Sequence, residues 1–268
     1  MTWYTSTDVH AFLAAAGDFL AANPIDHTLL LTEAAYLAAR PSAARDQLYG
    51  WWQRDGGGIT GAFLQAPRHR PILSIISNDG LESLAELYPD LPPVGVDGKL
   101  VDSVVTAWRR RCGVELSERA RIRLYRLGLR RPLKLGPGRA RVATLADREF
   151  LVSWYEQLMK ASPDDPSDLT YVVDDPIGYG GIVLWEVDGR PKAMACRSRL
   201  VANMVRLGPV YAPQNDRNGE AALVAACDAA QAVARDVLIF AEASDSGTDA
   251  SYRSLGFEPV LDRVMLAS

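Results

Sequence analysis

The sequence predicts an α+β protein, an α/β sandwich in which helices flank a mixed, mostly antiparallel sheet. Its 268 residues are 48% hydrophobic and 23% charged, as in ordinary globular proteins. Three observations predict this fold class. Apolar residues recur every three or four positions across residues 8–40, alternating runs flank Asp188-Gly189, and residues 205–242 have the pattern of a strand, a helix and a second strand. Such a crossover requires two parallel strands in one sheet.

The first half of the chain is predicted to begin with two helices and then to form strands. Phe12, Ala16 and Phe19 recur at helical spacing, and Pro24 ends that pattern. The segment Asp55-Gly56-Gly57-Gly58 is typical of a hairpin turn. The other predicted elements are strands over 47–54 and 59–65, an apolar run over 72–76, helices over 81–87 and 100–111, and a strand region over 114–127.

The middle of the chain is basic, although the formal net charge is −4. Thirteen of the 29 basic residues lie between Lys99 and Arg141, and Arg119, Arg121 and Arg123 alternate with apolar residues as on one face of a strand. Such a face fits either a nucleic-acid groove or a solvated sheet edge protected by charge. We favour the sheet edge, because aromatic stacking partners are not interleaved beyond Tyr125. A nucleic-acid partner is therefore not expected.

A domain boundary is predicted where proline and glycine interrupt every pattern, at Arg131-Pro132 and Gly136-Pro137-Gly138. The predicted domains are residues 1–135 and 136–268. The predicted elements after the boundary are a helix from 144 to about 160, an acidic loop over 163–168, hairpin strands over 181–187 and 192–201, strands over 205–211, 237–242 and 260–266, and helices over 220–234 and 248–255.

Several classes of protein are disfavoured by what the sequence lacks. The apolar runs are shorter than the roughly 18 to 20 residues that a membrane span needs, and the start of the chain does not resemble a signal peptide. We therefore expect a cytoplasmic protein without a membrane partner. Cys112, Cys196 and Cys227 are widely spaced, and the three histidines all lie within the first 69 residues. Neither a disulfide framework, a metal site nor Ser-His-Asp chemistry is expected.

The connection over residues 212–221 is the most informative segment. It leads a predicted strand into a predicted helix through small or polar residues, so several backbone N–H groups could face an anion at the helix N-terminus. An ordinary strand-to-helix connection has a similar composition, and both interpretations stay open on this segment alone. A second segment follows one strand–helix unit later, where Tyr252 precedes Gly256 and Phe257.

Together these segments resemble the GNAT acetyltransferase superfamily. Its acetyl-CoA site is built from a strand, a pyrophosphate loop, the following helix and a later Tyr-x-x-x-Gly-Phe segment. Residues 216–221 stand here at the loop position, and Tyr252 stands at the tyrosine position. The first half has a similar order of elements without such a loop. The chain therefore resembles a tandem protein with two GNAT-like domains, of which the first is a degenerate repeat.

The resemblance implies roles for particular residues. Tyr252 would donate a proton to the leaving thiolate, a role suited to a phenol because its pKa is comparable with that of a thiol. The alternative for Tyr252 is a core tyrosine. Glu242, at the end of a predicted strand, is a possible base or water-positioning group, or else a solvated carboxylate. The implied cofactor-binding residues are Val210, Tyr211 and Ala212 for the pantetheine arm, Arg217, Asn218, Gly219, Glu220 and Ala221 for the pyrophosphate, and Tyr252 for the thiol.

The function that the resemblance implies is an acyl-CoA-dependent N-acyltransferase. An amine would attack acetyl-CoA directly in a ternary complex, without a metal or a covalent enzyme intermediate. The acceptor is expected to be a small-molecule or peptide amine, and the protein a monomer or homodimer. Four aromatic residues could line an acceptor pocket or could equally belong to the core: Trp154, Tyr155, Tyr179 and Trp185.

Two departures from the family pattern support an alternative function. Asp216 stands where the family has glutamine or arginine, and Arg217 stands where it commonly has glycine. A carboxylate about 6 Å from a pyrophosphate would cost on the order of 1 to 3 kcal/mol, unless it turns away to cap the helix. The alternative is therefore a non-catalytic GNAT-fold binding or regulatory protein with an impaired CoA site.

Overall fold

The computed structural model describes residues 1–41, 44–89, 93–162, 165–214 and 217–268. These residues form two compact units. The first unit comprises Met1–Leu124, Ala241–Asp249 and Pro259–Ser268, and the second comprises Tyr125–Phe240 and Ala250–Glu258. The predicted division of the sequence at residue 135 does not coincide with these bounds and stays a prediction about the two sequence halves.

The first unit contains a mixed sheet with helices packed on it. Its strands follow the order β1-β2-β3-β4-β5-β12-β6, and all the registered pairs are antiparallel except β4 with β5. The elements that begin in the first part of the chain are β1 (Thr2–Ser6), α1 (Val9–Ala22), α2 (Thr28–Ala39), β2 (Leu48–Gln53), β3 (Ile59–Gln65), β4 (Ile72–Leu73), α3 (Asn78–Leu87), β5 (Val94–Asp97), α4 (Val101–Cys112) and β6 (Ser117–Leu127).

The second unit repeats this kind of architecture. Its strands follow the order β6-β11-β10-β9-β8-β7, with β10 and β11 parallel and the other registered pairs antiparallel. The elements that begin in the remainder of the chain are β7 (Arg139–Val142), α5 (Arg148–Met159), a helical turn (Thr170–Asp174), α6 (Asp175–Gly178), β8 (Ile182–Val187), β9 (Arg190–Arg197), β10 (Met204–Tyr211), α7 (Asn218–Gln231), β11 (Asp236–Glu242), α8 (Ser246–Leu255) and β12 (Phe257–Ala267).

Each unit has its own hydrophobic core between sheet and helices. In the first unit Trp108 of α4 is completely buried beside Leu81 of α3 and Val264 of β12. In the second unit Leu151 of α5 is buried among residues of β8 and β9, such as Leu184. Burial of these apolar faces is the main favourable contribution to folding in both units. The predicted α+β class, with mixed, mostly antiparallel sheets flanked by helices, is confirmed.

The local turn chemistry explains why the central hairpin of the second unit was predictable. Asp188 and Gly189 join β8 to β9 with φ angles of 51° and 70°. Positive φ at both positions defines the type I′ turn, which asparagine, aspartate and glycine tolerate best. The parallel pairing predicted for the last crossover is also present, with Val205 opposite Val237.

The prediction that the arginine-bearing strand forms a sheet edge is wrong. That strand is β6, which has β12 along one side and β11 along the other. Within the first unit Arg123 Nε donates to Asp262 Oδ1 on β12 at 2.8 Å, and Arg121 Nη1 donates to Asp262 Oδ2 at 3.4 Å. The arginines thus pair with a carboxylate about 140 residues away in sequence, and the period-two pattern of β6 contains no sign of that partner.

Candidate functional site

The first feature of the site is an unpaired backbone edge between two parallel strands. Pairing of β10 with β11 runs from Met204 opposite Asp236 to Leu207 opposite Ile239 and ends there. Residues 208–211 continue β10, and Val210 and Tyr211 still pair with β9. On the β11 side these four residues, which we call the β10 edge, have no registered strand partner within the described chain. Their backbone groups on that side can therefore pair with a ligand.

Pro209 lies within the β10 edge and supports this description. Proline has no N–H to give to a ladder, so it is tolerated in strands at edges and bulges. The register of β10 with β9 shifts between Leu207 and Val210, on either side of Pro209. The sequence therefore carried a local sign of the irregular edge.

The second feature is the N-terminus of α7, which follows β10 along the chain. Its first intrahelical hydrogen bond runs from the N–H of Ala221 to the carbonyl of Arg217, at 3.1 Å. The N–H groups of Gly219 and Glu220 precede that bond and point out of the helix end. Among the described residues, none provides a side-chain cap for this helix. The helix end thus offers backbone donors and the positive end of its dipole to an anion.

Two opposite charges lie at this helix end. Arg217 is three-quarters exposed, and its Nε lies 3.5 Å from Oε2 of Glu220 in the first turn of α7. Glu220 alone would oppose a bound anion, but the neighbouring guanidinium offsets its charge. Asp216, whose carboxylate was predicted to weaken the site, lies outside the described residues, as does Asn215.

Gly219 places the helix end close to the end of β10. A Cβ built at this position would lie 3.5 Å from Ala212 Cβ and 3.6 Å from Val210 Cγ1. These are ordinary van der Waals distances, so alanine fits, whereas a longer side chain would have to enter the space between helix and strand. The structure thus brings Val210, Ala212 and Gly219 together, and their role in binding stays a prediction.

Tyr252 lies on α8 in a cluster of aromatic rings within the second unit. Its ring meets the buried ring of Tyr125 edge to face, with centroids 5.5 Å apart, and lies 5.6 Å from the ring of Phe257. The side chain is partly exposed. Packing therefore fixes the ring, which agrees with a core role and equally with a proton donor held in one orientation. Its catalytic role stays a prediction.

The remaining candidate residues have the following places. Glu242 is the exposed last residue of β11 and belongs with the first unit, so its predicted role as a base remains untested by its surroundings. The Tyr211 hydroxyl donates to Oε1 of Gln157 on α5 at 2.6 Å, and its ring lies 5.9 Å from that of Trp154. This side chain therefore turns to α5, and only its backbone belongs to the β10 edge. Gln157 was not singled out from the sequence.

Three of the four aromatic residues predicted as pocket or core are bound into the fold. Tyr155 and Trp185 are buried, and the Tyr179 hydroxyl donates to the carbonyl of Arg197 at 2.7 Å. Burial raises the pKa of Tyr179 well above its ordinary value, with a further contribution from the charge of Asp175. Trp154 packs at the margin of the second unit's core.

Metal and membrane features were also sought within the described ranges. No three histidine, cysteine, aspartate or glutamate side chains there come together as metal ligands would. None of the helices is both long enough and apolar enough to cross a bilayer. Cys196 and Cys227 are buried, Cys112 is partly buried, and all three are free thiols.

Comparison with known proteins found similarity to this chain in structure alone. No protein-family model and no curated protein sequence matches the chain. A GNAT-family acetyltransferase from Colwellia psychrerythraea aligns over 100% of both chains, with a TM-score of 0.58 and 10% identity. A GCN5-related N-acetyltransferase from Sphaerobacter thermophilus covers 98% of this chain and 94% of its own, with a TM-score of 0.56 and 14% identity. A Drosophila protein aligns over 98% of this chain and 97% of its own, with a TM-score of 0.64 and 12% identity.

Proposed function

Because this chain has the fold of the GNAT acetyltransferases, we propose that it transfers an acetyl group from acetyl-CoA to an amine. The observation that carries this proposal is the β10 edge followed by the N-terminus of α7, for which the described residues provide no side-chain cap. An extended ligand with amide groups can pair with such an edge as an added strand. A phosphate group on the same ligand can bind the helix end. Acetyl-CoA has both, with pantetheine amides and a pyrophosphate in the right order.

In the proposed complex, different residues bind different parts of acetyl-CoA. The backbone of Val210, Tyr211 and Ala212 holds the pantetheine arm. The helix end holds the pyrophosphate through the segment from Arg217 to Ala221, where Gly219 keeps the backbone accessible. The Arg217 guanidinium adds a positive charge beside the phosphates and offsets the charge of Glu220. The residues present therefore fit this ligand.

Acetyl-CoA supplies an activated thioester, and the reaction forms a C–N bond while the C–S bond breaks. The attacking amine loses one proton, and the departing thiolate gains one. Tyr252 is proposed to donate the latter from its hydroxyl, since packing against Tyr125 and Phe257 fixes its ring. The amine proton passes to a base or to water, and the residue proposed from the sequence as that base is Glu242.

Calorimetric titration of the full chain with CoA and acetyl-CoA tests the binding part of this proposal. We expect saturable binding that weakens about tenfold in Arg217→Glu, because the substitution reverses a charge beside the pyrophosphate. Arg190→Glu is the matched control: it makes the same charge change at an exposed position next to the β8–β9 turn and should leave the affinity unchanged. Absence of binding at about 1 mM ligand would refute the proposal.

The acceptor must be found by experiment. A screen of amines, amino acids, aminoglycosides and peptides for thiol release from acetyl-CoA is the most direct search. Thiol release that depends on one amine class, and the matching acetylated product by mass spectrometry, would establish the reaction. Binding of CoA without transfer to any amine would favour the second candidate, a non-catalytic GNAT-fold protein. The departures of the sequence from the family pattern, Asp216 in place of glutamine or arginine and Arg217 in place of glycine, support this second candidate.

A further inference from the structure

The two units present the same order of elements around a pair of parallel strands. In the first unit β4 leads into α3 and then β5, as β10 leads into α7 and then β11 in the second. The pair β4 and β5 is parallel, like β10 and β11, and its register holds only Ile72 opposite Gly95. β4 and β5 separate beyond this pair. Because the order of elements and the parallel pairing are the same in both units, the point where β4 and β5 separate corresponds to the β10 edge.

In the first unit the guanidinium of Arg263 lies where β4 and β5 separate. Arg263 of β12 is only 5% exposed, and its Nη2 donates to the carbonyl of Leu73 at 3.0 Å and to that of Gly95 at 3.1 Å. One carbonyl belongs to β4 and the other to β5. The side chain therefore joins the two strands and uses acceptors that an added strand-like ligand would otherwise take.

The surroundings keep this guanidinium charged. Asp97 of β5 lies opposite Arg263 in the strand register and is almost completely buried. Burial lowers the pKa of Arg263 to about 10, while the charges of Asp97 and Asp26 act in the other direction, so the group is protonated at neutral pH. A buried charge of this kind is held firmly, because its removal leaves two buried carbonyls without their donor.

The N-terminus of α3, the helix that follows β4, has a side-chain cap. Ser77 caps α3 by accepting a hydrogen bond from the N–H of Gly80, at 3.4 Å, and Asp79 places a carboxylate in the first turn. The side chain of Ile76 is buried beside this turn, and a Cβ at Gly80 would lie 2.5 Å from Ile76 Cδ1. The N-terminus of α3 is thus capped by its own residues and carries a charge that repels phosphate.

We propose that each chain binds a single acyl-CoA, in the second unit, and that Arg263 closes the corresponding position of the first unit. This inference rests on the proposed function and adds to it the number of sites and the residue that sets that number. The first unit obtains from its own arginine the hydrogen bonds between β4 and β5 that pantetheine would otherwise supply. Its stability is therefore independent of acyl-CoA.

Calorimetry and amide hydrogen exchange on the full chain test the inference. We expect one CoA per chain, slower exchange over residues 204–221 when CoA is bound, and no change over residues 72–81 and 94–97. The Arg217→Glu variant should bind CoA more weakly at this one site, and its titration should show no second CoA site. Two CoA molecules per chain, or slower exchange over 72–81, would overturn the inference while leaving the proposed function intact. No CoA binding at all would overturn the proposed function, and with it the inference.

Variants of Arg263 test the closure itself. Arg263→Met keeps a long side chain but removes its donors, and we expect at least tenfold faster amide exchange in β4 and β5. The control is Arg119→Met, at an exposed arginine of β6 in the same unit, which should leave both strands unchanged. If Arg263→Met does not fold, Arg263→Lys, whose shorter side chain ends before the position of Nη2, should also speed exchange in β4 and β5. Unchanged exchange in a folded Arg263 variant would overturn the role of Arg263.

Discussion

Replacing Tyr252 by phenylalanine separates catalysis from packing. The ring contacts with Tyr125 and Phe257, at centroid distances of 5.5 and 5.6 Å, survive the substitution because only the hydroxyl is removed. Stability and the Kd of acetyl-CoA should therefore barely change. If the hydroxyl protonates the departing thiolate, kcat should fall by roughly two to four decades, which corresponds to about 3 to 5 kcal/mol of transition-state stabilisation.

Tyr252→Ala gives a contrasting pattern. It removes both ring contacts, each contributing about 0.5 to 1.5 kcal/mol, and leaves a partly solvated cavity. We expect a loss of about 2 to 3 kcal/mol in the free energy of unfolding, measured with urea. Tyr4→Phe, on the exposed face of β1, is the control for loss of a tyrosine hydroxyl and should change neither quantity.

The assay is thiol release from acetyl-CoA with the amine found by the screen, together with calorimetric measurement of acetyl-CoA binding. A fall in kcat at unchanged Kd identifies an interaction made only in the transition state. Full activity of Tyr252→Phe would refute the proton-donor role. Packing in the aromatic cluster would then be the role that the structure supports for Tyr252.

Three other predictions concern the helix end, an ion pair and the thiols. The Gly219→Ala variant should keep its CoA affinity, because the added Cβ makes only ordinary van der Waals contacts. The Gly219→Glu variant should bind CoA at least about a hundredfold more weakly, since it adds a carboxylate beside the phosphates. Equal affinities of the two variants by calorimetry would place the anion site elsewhere. Hydrogen bonds from Arg141 and Thr144 lower the pKa of Asp147 to about 2. The ionised carboxylate therefore stabilises the fold at pH values above 3.8, the pKa of the unfolded chain. This contribution is lost as the pH falls towards 2. Asp147→Asn should therefore cost about 2 kcal/mol at pH 7 and about 1 kcal/mol at pH 3 in urea unfolding, and a pH-independent difference would contradict this account. Burial raises the pKa of both Cys196 and Cys227 to about 12, so Ellman's reagent should label Cys112 first in the native protein, and rapid labelling of native Cys112→Ser would contradict their burial.

Elements with a strong local signal were predictable from the sequence. The hairpin at Asp188-Gly189 needed only the backbone freedom of its two turn residues, and the parallel pair β10 and β11 followed from the crossover between them. Most other helices and strands were also found within a few residues of their predicted bounds. In these segments local preference and tertiary packing favour the same structure.

Short strands that depend on distant partners were missed. Strand β1 has one buried residue, Trp3, and is held by pairing with β2, while β7 lies just after the predicted Gly-Pro-Gly break. Arg139 and Arg141 on β7 both bind Glu186 of β8, which explains why so polar a segment forms a strand. The burial of Arg263 was equally hidden, because the carbonyls that satisfy it lie 168 and 190 residues away in sequence.

The same order of elements precedes α3 and α7, but the two helix N-termini and the strands before them differ in their hydrogen-bond partners. A serine N-cap contributes about 1 kcal/mol to a helix, and α3 has one in Ser77, whereas the described residues before α7 provide none. Likewise β4 and β5 are joined by Arg263, whereas on the β11 side residues 208–211 of β10 have no registered strand partner among the described residues. This strand edge and the N-terminus of α7 both lie in the second unit, next to each other along the chain. A ligand with amides and phosphates can pair with such an edge and bind such a helix end, and for this reason we propose that acyl-CoA binds in the second unit.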